Sequence, residues 1–290
     1  MEKNNWLAER KKGICGTDIT AIMGMNPYVT PLQVFLDKTN QREPIEENLY
    51  MKIGTALEPL VAEMFGKETG YKVINPEEMI YIKDEIFRGT PDRFYEHGTR
   101  NILECKTTKK YIDNPETHHI LQAEWYAGIL MIPFAVAYID GSHSFKHWEF
   151  EPDKTLIKLM QDRATEFWEN HVLTGIPPEA MTLHDTKLLY PFSTEKQIET
   201  VYNSVLACQE YREIGTQIKE LEEKQNAVRL QLEKAIGDAE ALLYDGKPIL
   251  TYKSCLTNRL DITALKAALP DIYKDYTKQI SSRKFLVKGK

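Results

Sequence analysis

Two apolar-flanked segments within residues 87–108, joined by a short polar turn, constrain the fold of this chain most strongly. Asp92 ends the first segment, and Glu104 and Lys106 stand two positions apart in the second. Alternate side chains on a strand lie on one face, so Glu104 and Lys106 point the same way and the residue between them points into the opposite layer. The turn at 97–100 predicts a hairpin that brings Asp92 beside Glu104.

Two carboxylates and an ammonium group at one end of a hairpin predict a cation site. Like charges in contact raise each other's pKa unless a cation keeps both ionised. Oxygen ligands favour a hard divalent ion, Mg²⁺ or Mn²⁺. Lys106 would then orient or deprotonate a water molecule, or neutralise charge on an attacked phosphodiester. The Asp…Glu-x-Lys pattern is typical of restriction-endonuclease-like nucleases; a surface salt bridge with a solvated lysine is the alternative.

A glycine-rich segment upstream, residues 10–18, predicts the start of a short helix. Thr17 or Asp18 would cap this helix. Its free N–H groups, with basic neighbours such as Arg10, would form a seat for a phosphate. An ordinary helix entry with solvated basic residues is the alternative.

Two further helices carry polar side chains that could reach the hairpin. The apolar spacing of residues 53–65 predicts a helix with Glu58 just beside its apolar stripe. After the hairpin, another helix places His119, Gln122 and Tyr126 on one polar face, which would hold the attacking water or a DNA phosphate. Solvated or simply hydrogen-bonded side chains are the alternatives in both helices.

Five short motifs then occur in a characteristic order. They read Gly-Ile-x-Gly-Thr-Asp, Gly-x-x-x-Glu-Pro, Gly-Thr-Pro-Asp, Leu-Glu-Cys-Lys-Thr and His-x-x-Gln. Together they resemble the YqaJ-type viral recombinases, which are phage alkaline nucleases similar to lambda exonuclease. The resemblance covers about residues 8–180 and is more specific than any single motif.

The resemblance implies a Mg²⁺-dependent nuclease, with Mn²⁺ as the other candidate ion. Such an enzyme digests linear duplex DNA 5′ to 3′ and leaves 3′ single strands for phage-type recombination. The implied metal ligands are Asp92, Glu104, the backbone carbonyl of Cys105 and, for a second ion or its water, Glu58. Lys106 would act on the nucleophile, and Gln122 would support it.

The resemblance also implies where DNA and protein partners bind. The candidate DNA contacts are Arg10, Thr17, Thr90, Lys109, Lys110 and His119. The first three fall where the family grips a terminal phosphate. The family's helix often reads Gln-x-Gln, whereas this one reads Gln-Ala-Glu, so Glu124 is left out of the site. The implied partners are duplex ends, a single-strand annealing protein and further copies of the chain in a ring.

Composition bears on compartment and on charge. No run of 18 apolar residues occurs and the N-terminus is charged, so neither a membrane span nor a signal peptide is expected. Four scattered cysteines favour a reducing cytoplasm, and the resemblance implies that of a bacterium hosting a phage or prophage. A net charge of −6 is unfavourable for a DNA enzyme. Basic clusters at 9–12, 106–110 and 283–290 would reconcile the two if they lined a ring.

The expected fold class is α/β, with a central mixed sheet flanked by helices in a restriction-endonuclease-like core over residues 1–178. Residues 179–238 are expected to form a long helical arm or an antiparallel helical hairpin, and a free-standing dimeric coiled coil is less favoured. Residues 239–290 are expected to form a small α+β region with a β-hairpin and a basic end that would suit DNA contact.

Three functions stay open. The first is an exonuclease acting at duplex ends, which a pocket for a 5′ phosphate would favour. The second is an endonuclease that uses the same site to cut internally. The third is a non-catalytic DNA-binding scaffold, against which the intact Asp92, Glu104 and Lys106 argue.

Overall fold

The computed structural model describes residues 3–42, 47–82 and 86–288. The chain divides into two compact units, Met1–Leu189 and Tyr190–Lys290. The elements of the first unit are α1 (Lys3–Lys11), α2 (Gly16–Ile22), α3 (Pro31–Lys38), α4 (Leu49–Thr69), β1 (Lys72–Ile74), β2 (Ile80–Tyr81), β3 (Arg88–Gly89), β4 (Arg93–His97), β5 (Thr99–Thr107), α5 (Thr117–Leu130), β6 (Phe134–Ile139), β7 (Phe145–Phe150), α6 (Lys154–Phe167) with a π-helical turn (Trp168–Val172), and α7 (Leu183–Leu189).

A five-stranded sheet in the order β1-β4-β5-β6-β7 forms the centre of the first unit. Strand β5 pairs antiparallel with β4 and parallel with β6, and β7 pairs antiparallel with β6. A parallel pair needs a crossover connection, which α5 provides between β5 and β6. The predicted α/β class with a mixed central sheet is confirmed.

The two faces of the sheet bury different layers of helices. On one face, Ile102 of β5 packs in a cluster with residues of α2, α3, α5 and α6. On the other face, Leu103 and Cys105 pack against Val61 and Phe65 of α4. This alternation confirms the predicted period of β5 and places Glu104 on the face that carries α5.

The start of α2 differs from the prediction. The N-cap is Cys15, not Thr17 or Asp18. Asp18 lies inside the helix and its carboxylate accepts a hydrogen bond from the Cys15 backbone N–H at 2.9 Å. The same carboxylate pairs with Lys38 Nζ at 2.6 Å, so Asp18 caps the helix from its third position and also joins a tertiary ion pair.

The second unit contains α8 (Tyr202–Ile236), β8 (Ala241–Tyr244), β9 (Lys247–Thr251), α9 (Ile262–Ala268) and α10 (Pro270–Asp275). Helix α8 is a single helix of 35 residues, so the alternative of an antiparallel helical hairpin was wrong. Strands β8 and β9 form the predicted hairpin. The three-part division at 178 and 238 stays a prediction. No helix within the described ranges has the length and apolar character needed to cross a membrane.

Candidate active site

The predicted hairpin of β4 and β5 brings Asp92 to the middle of β5. Arg93, the first residue of β4, pairs with Leu103. The Asp92 Oδ2 atom accepts a hydrogen bond from the Cys105 backbone N–H at 2.8 Å. Asp92 therefore lies beside the peptide that follows Glu104, as the spacing predicted.

Glu104 is a fully buried carboxylate with one unsatisfied oxygen. Its Oε1 atom accepts a hydrogen bond from Gln122 Nε2 at 2.6 Å and also contacts Lys106 Nζ. Its Oε2 atom is buried and has no hydrogen-bond partner in the described part of the chain. Burial and the nearby charge of Asp92 raise the pKa of Glu104 to about 8, although Lys106 opposes the shift. A buried oxygen without a partner costs free energy unless another group binds it.

Lys106 is mostly buried and keeps its charge. Burial alone would lower the pKa of its ammonium group, but the charges of Glu104 and Asp92 outweigh burial and raise that pKa. In this environment Lys106 is a cation that hydrogen-bonds Glu104. The raised pKa and the contact with Glu104 therefore favour the charge-neutralising and orienting roles over proton abstraction by a neutral amine.

Glu58 of α4 reaches the same region through Arg93. The Arg93 guanidinium contacts both the Glu58 carboxylate and the backbone carbonyl of Asp92. Burial, followed by the charge of Asp92, raises the pKa of Glu58 against the effect of Arg93. Sequence reasoning missed Arg93, although its position directly after Asp92 in the Gly-Thr-Pro-Asp motif was a usable signal.

Helix α5 closes the site from one side. Gln122 Nε2 lies 2.6 Å from Glu104 Oε1 and 3.2 Å from Tyr126 Oη. A Cβ atom added to Gly89 would lie 2.3 Å from the Tyr126 ring, so only glycine permits this approach of β3 to α5. Glu124 points elsewhere and accepts a hydrogen bond from the Asp153 backbone N–H at 2.7 Å.

The three residues predicted to grip a terminal phosphate, Arg10, Thr17 and Thr90, form one group with Trp6, which we call the phosphate seat. Arg10 Nη2 donates to Thr17 Oγ1 at 2.6 Å, and Trp6 Nε1 donates to Thr90 Oγ1 at 3.1 Å. The Arg10 guanidinium lies over the Trp6 ring, 5.3 Å from its centroid. Trp6 was not predicted because its partner Thr90 is 84 positions away.

The other three candidate DNA contacts differ in their surroundings. Lys110 is exposed in the segment after β5. Lys109 is also exposed, and its Nζ atom bonds Tyr50 Oη at 2.5 Å. His119 is largely buried, and its Nδ1 atom lies 2.6 Å from Tyr138 Oη. Burial and the charge of Lys106 lower the pKa of His119 to about 2, so its ring is neutral and would offer a phosphate a hydrogen bond but no charge.

Asp92, directly before β4, lies beside Glu104 and Lys106 of β5 on the mixed sheet, which is the arrangement expected of a nuclease fold. The family model of the YqaJ-like viral recombinase domain matches residues 5–126 of this chain. The uncharacterized protein YqaJ of Bacillus subtilis (strain 168) is 31% identical over 310 residues, which cover 99% of this chain and 95% of that protein. The chain belongs to the YqaJ family.

The fold is shared with a solved alkaline exonuclease. The structure of LHK-Exo from Laribacter hongkongensis in complex with dAMP superposes with a TM-score of 0.50 at 16% identity. The superposition covers 60% of this chain and 94% of that one.

Proposed function

We propose that the protein is a divalent-metal-dependent deoxyribonuclease that digests linear duplex DNA 5′ to 3′ and leaves 3′ single strands for recombination. The observation that supports this most directly is the convergence of Asp92, Glu104 and Lys106, in which a buried Glu104 oxygen has no partner among the described residues. Membership of a viral recombinase family and the fold of an alkaline exonuclease support it as well.

The residues present fit a hard divalent cation. Asp92, Glu104, the Cys105 carbonyl and Glu58 offer only oxygen donors, which Mg²⁺ and Mn²⁺ prefer. The buried Oε2 atom of Glu104 is a donor position that the fold leaves open. When bound, such an ion lowers the pKa of a water ligand and neutralises charge on the attacked phosphate.

The chain's own residues would position these components. Gln122 fixes one oxygen of Glu104 and leaves the other for the cation. Lys106 stays charged beside Glu104 and would orient the attacking water and offset the negative charge that develops on the phosphate. Arg93 holds Glu58 at the edge of the site, where it would serve a second ion or its water.

The phosphate seat is the specific reason to favour an end-directed exonuclease over an endonuclease. Arg10 and Thr17 present a guanidinium and a hydroxyl group 2.6 Å apart. A guanidinium binds phosphate in a bidentate manner and a terminal phosphate carries more charge than an internal one. Recognition of that group would place the first phosphodiester of a 5′ end at the carboxylates.

The proposed function also implies binding partners and a cellular compartment for the protein. The partners are duplex ends, a single-strand annealing protein and further copies of the chain in a ring, and the compartment is the cytoplasm of a bacterium that hosts a phage or prophage. In this scheme residues 1–178 form the nuclease core, 179–238 the arm with its coiled-coil pattern, and 239–290 an accessory region. Lys109, Lys110 and His119 would contact the DNA.

Digestion of duplexes labelled separately at each end tests the function. With Mg²⁺, a linear duplex with 5′ phosphates should lose nucleotides from its 5′ ends, and a covalently closed circle should stay intact. A duplex with 5′ hydroxyl groups should be degraded more slowly. Asp92→Asn should be inactive on all three substrates. Cutting of the closed circle would instead support the endonuclease, and loss of nucleotides from 3′ ends would contradict the polarity.

A further inference from the structure

A cluster of two histidines and a glutamate lies at the start of α5 and includes none of the carboxylates described above. Ligand atoms of Glu116, His118 and His119 all lie within 4.8 Å of one another, and within the described ranges this is the one group of three or more His, Cys, Asp or Glu residues with that property. The His118 and His119 rings are 3.9 Å apart between centroids.

The His118 ring contains a nitrogen that the fold leaves unsatisfied. Its Nε2 atom is buried and makes no hydrogen bond to any described residue. Glu116 Oε2 lies 3.6 Å from this nitrogen, which is too far for a hydrogen bond. Buried polar atoms without partners are rare and often mark the place of a water molecule or an ion.

His119 has the support that metal-binding histidines usually have. Its Nδ1 atom lies 2.6 Å from Tyr138 Oη, and the same hydroxyl accepts a hydrogen bond from the Glu116 backbone N–H at 3.2 Å. A bond from one ring nitrogen to a fixed oxygen sets the tautomer and the orientation of the ring, and leaves the other nitrogen free to bind. Tyr138 therefore holds both Glu116 and His119 in place.

We propose that Glu116, His118 and His119 form a second cation site, selective for a zinc-class transition ion rather than for Mg²⁺. Two imidazole nitrogens with one carboxylate oxygen suit Zn²⁺ or Co²⁺, whereas Mg²⁺ prefers oxygen donors alone. Three protein ligands leave a fourth position for water. Such an ion binds imidazole nitrogen at about 2.0–2.1 Å, so the three side chains would have to rotate to close around it.

Charge around the cluster indicates which ligand is needed most. The ammonium group of Lys106 acts on both His118 and His119 and opposes any further cation there. Glu116 is the ligand that supplies a compensating negative charge. Glu116→Gln removes that charge and keeps the shape of the side chain. It should therefore lower the affinity for the ion as much as the loss of an imidazole does.

Cobalt titration of the full chain tests the site independently of nuclease activity. The chelator-treated protein is titrated with Co²⁺ in excess Mg²⁺, which occupies the oxygen-donor site, and the visible absorption of four-coordinate cobalt is recorded. The wild type and Asp92→Asn should bind one Co²⁺ per chain. His118→Ala, His119→Ala and Glu116→Gln should each bind it at least about tenfold more weakly. His184→Ala, which removes an exposed histidine of α7, should bind like the wild type.

A second measurement covers variants whose fold is altered. In excess Mg²⁺, Zn²⁺ should raise the unfolding temperature of the wild type and of His184→Ala by mass action, and should raise that of the isosteric Glu116→Gln by clearly less. The proposal is overturned if the wild type shows no cobalt absorption in excess Mg²⁺, or if His118→Ala and His184→Ala bind Co²⁺ equally. Loss of the bound ion in Asp92→Asn alone would overturn it too, because the ion would then belong to the oxygen-donor site.

Discussion

At the scale of single residues, Glu104 is the least favourably placed charged group of the candidate active site. Its carboxyl group is fully buried beside Asp92, which raises its pKa to about 8, and one of its oxygens has no partner in the described chain. This arrangement destabilises the folded state, and strongly shifted pKa values of this kind recur at functional sites. Lys106 and Gln122 share the other oxygen and hold the group in place.

Lys106→Met should remove the fixed positive charge from the site. Because a preorganised charge acts mainly on the transition state, we expect kcat for duplex digestion to fall by about 10²–10³-fold with little change in KM. The matched control is Lys67→Met, which removes an exposed lysine of α4 and should keep kcat within about twofold. Equal losses in the two variants would contradict the assignment of Lys106.

The raised pKa of Glu104 predicts that metal affinity depends on pH. The carboxyl group is largely protonated below its pKa of about 8 and ionised above it. A cation requires the ionised form, so the affinity for Mg²⁺ should rise by up to about tenfold per pH unit between about pH 6.5 and 8 and then level off. Calorimetric titration of Mg²⁺ into the wild type measures this, with Glu104→Gln as the reference variant. A constant affinity across that range would show that Glu104 is not a ligand.

At the scale of elements, the periodicity of the sequence predicted which side chains share one face of a strand or a helix. The alternation of β5 predicted that Glu104 and Lys106 share a face, and the polar stripe of α5 predicted Gln122. Trp6 was missed because its partner Thr90 is distant in sequence, and although Arg93 directly follows Asp92, its pairing with Glu58 is also long-range. Pairing over such distances depends on how elements pack, which no short window of sequence contains.

The cap of α2 illustrates the same limit and leads to a stability prediction. Asp18 pairs with Lys38, whose side chain is fully buried. The Lys38 Nζ atom also donates to the backbone carbonyl of Arg10 at 2.9 Å, so this pair ties α1, α2 and α3 together. Asp18→Ala leaves a buried ammonium group without its counter-ion, which should cost about 3–5 kcal/mol in the free energy of unfolding.

Urea denaturation measures this cost, and a surface pair provides the control. Glu63→Ala breaks the exposed pair of Glu63 and Lys67 on α4 and should cost less than about 1 kcal/mol. Adding Lys38→Met to Asp18→Ala should recover much of the loss, since it removes the unpaired charge. If both single variants lost the same small amount, the buried pair would have no special weight.

At the scale of the whole molecule, the chain has a net charge of −6 and would have to bind DNA, which is itself a polyanion. Attraction to DNA then depends on a few placed cations rather than on the overall field. Lys109 and Lys110 are exposed and follow β5, the strand that carries Glu104. The sequence predicted this basic cluster, but composition could not tell how it lies relative to the site.

The salt dependence of binding should report these few cations directly. Each phosphate neutralised by a lysine contributes about 0.9 to the slope of log K against log salt. In an Asp92→Asn background, which binds without cutting, Lys109→Gln with Lys110→Gln should lower the magnitude of that slope by about 2 on a 5′-phosphorylated duplex. Fluorescence anisotropy over a salt series gives the slope. Lys67→Gln, which removes an exposed lysine of α4 paired with Glu63, should leave it unchanged. The contrary result is that the double variant and Lys67→Gln both give the slope of Asp92→Asn alone. The DNA would then not pass over the segment after β5, and Lys109 and Lys110 would not contact it.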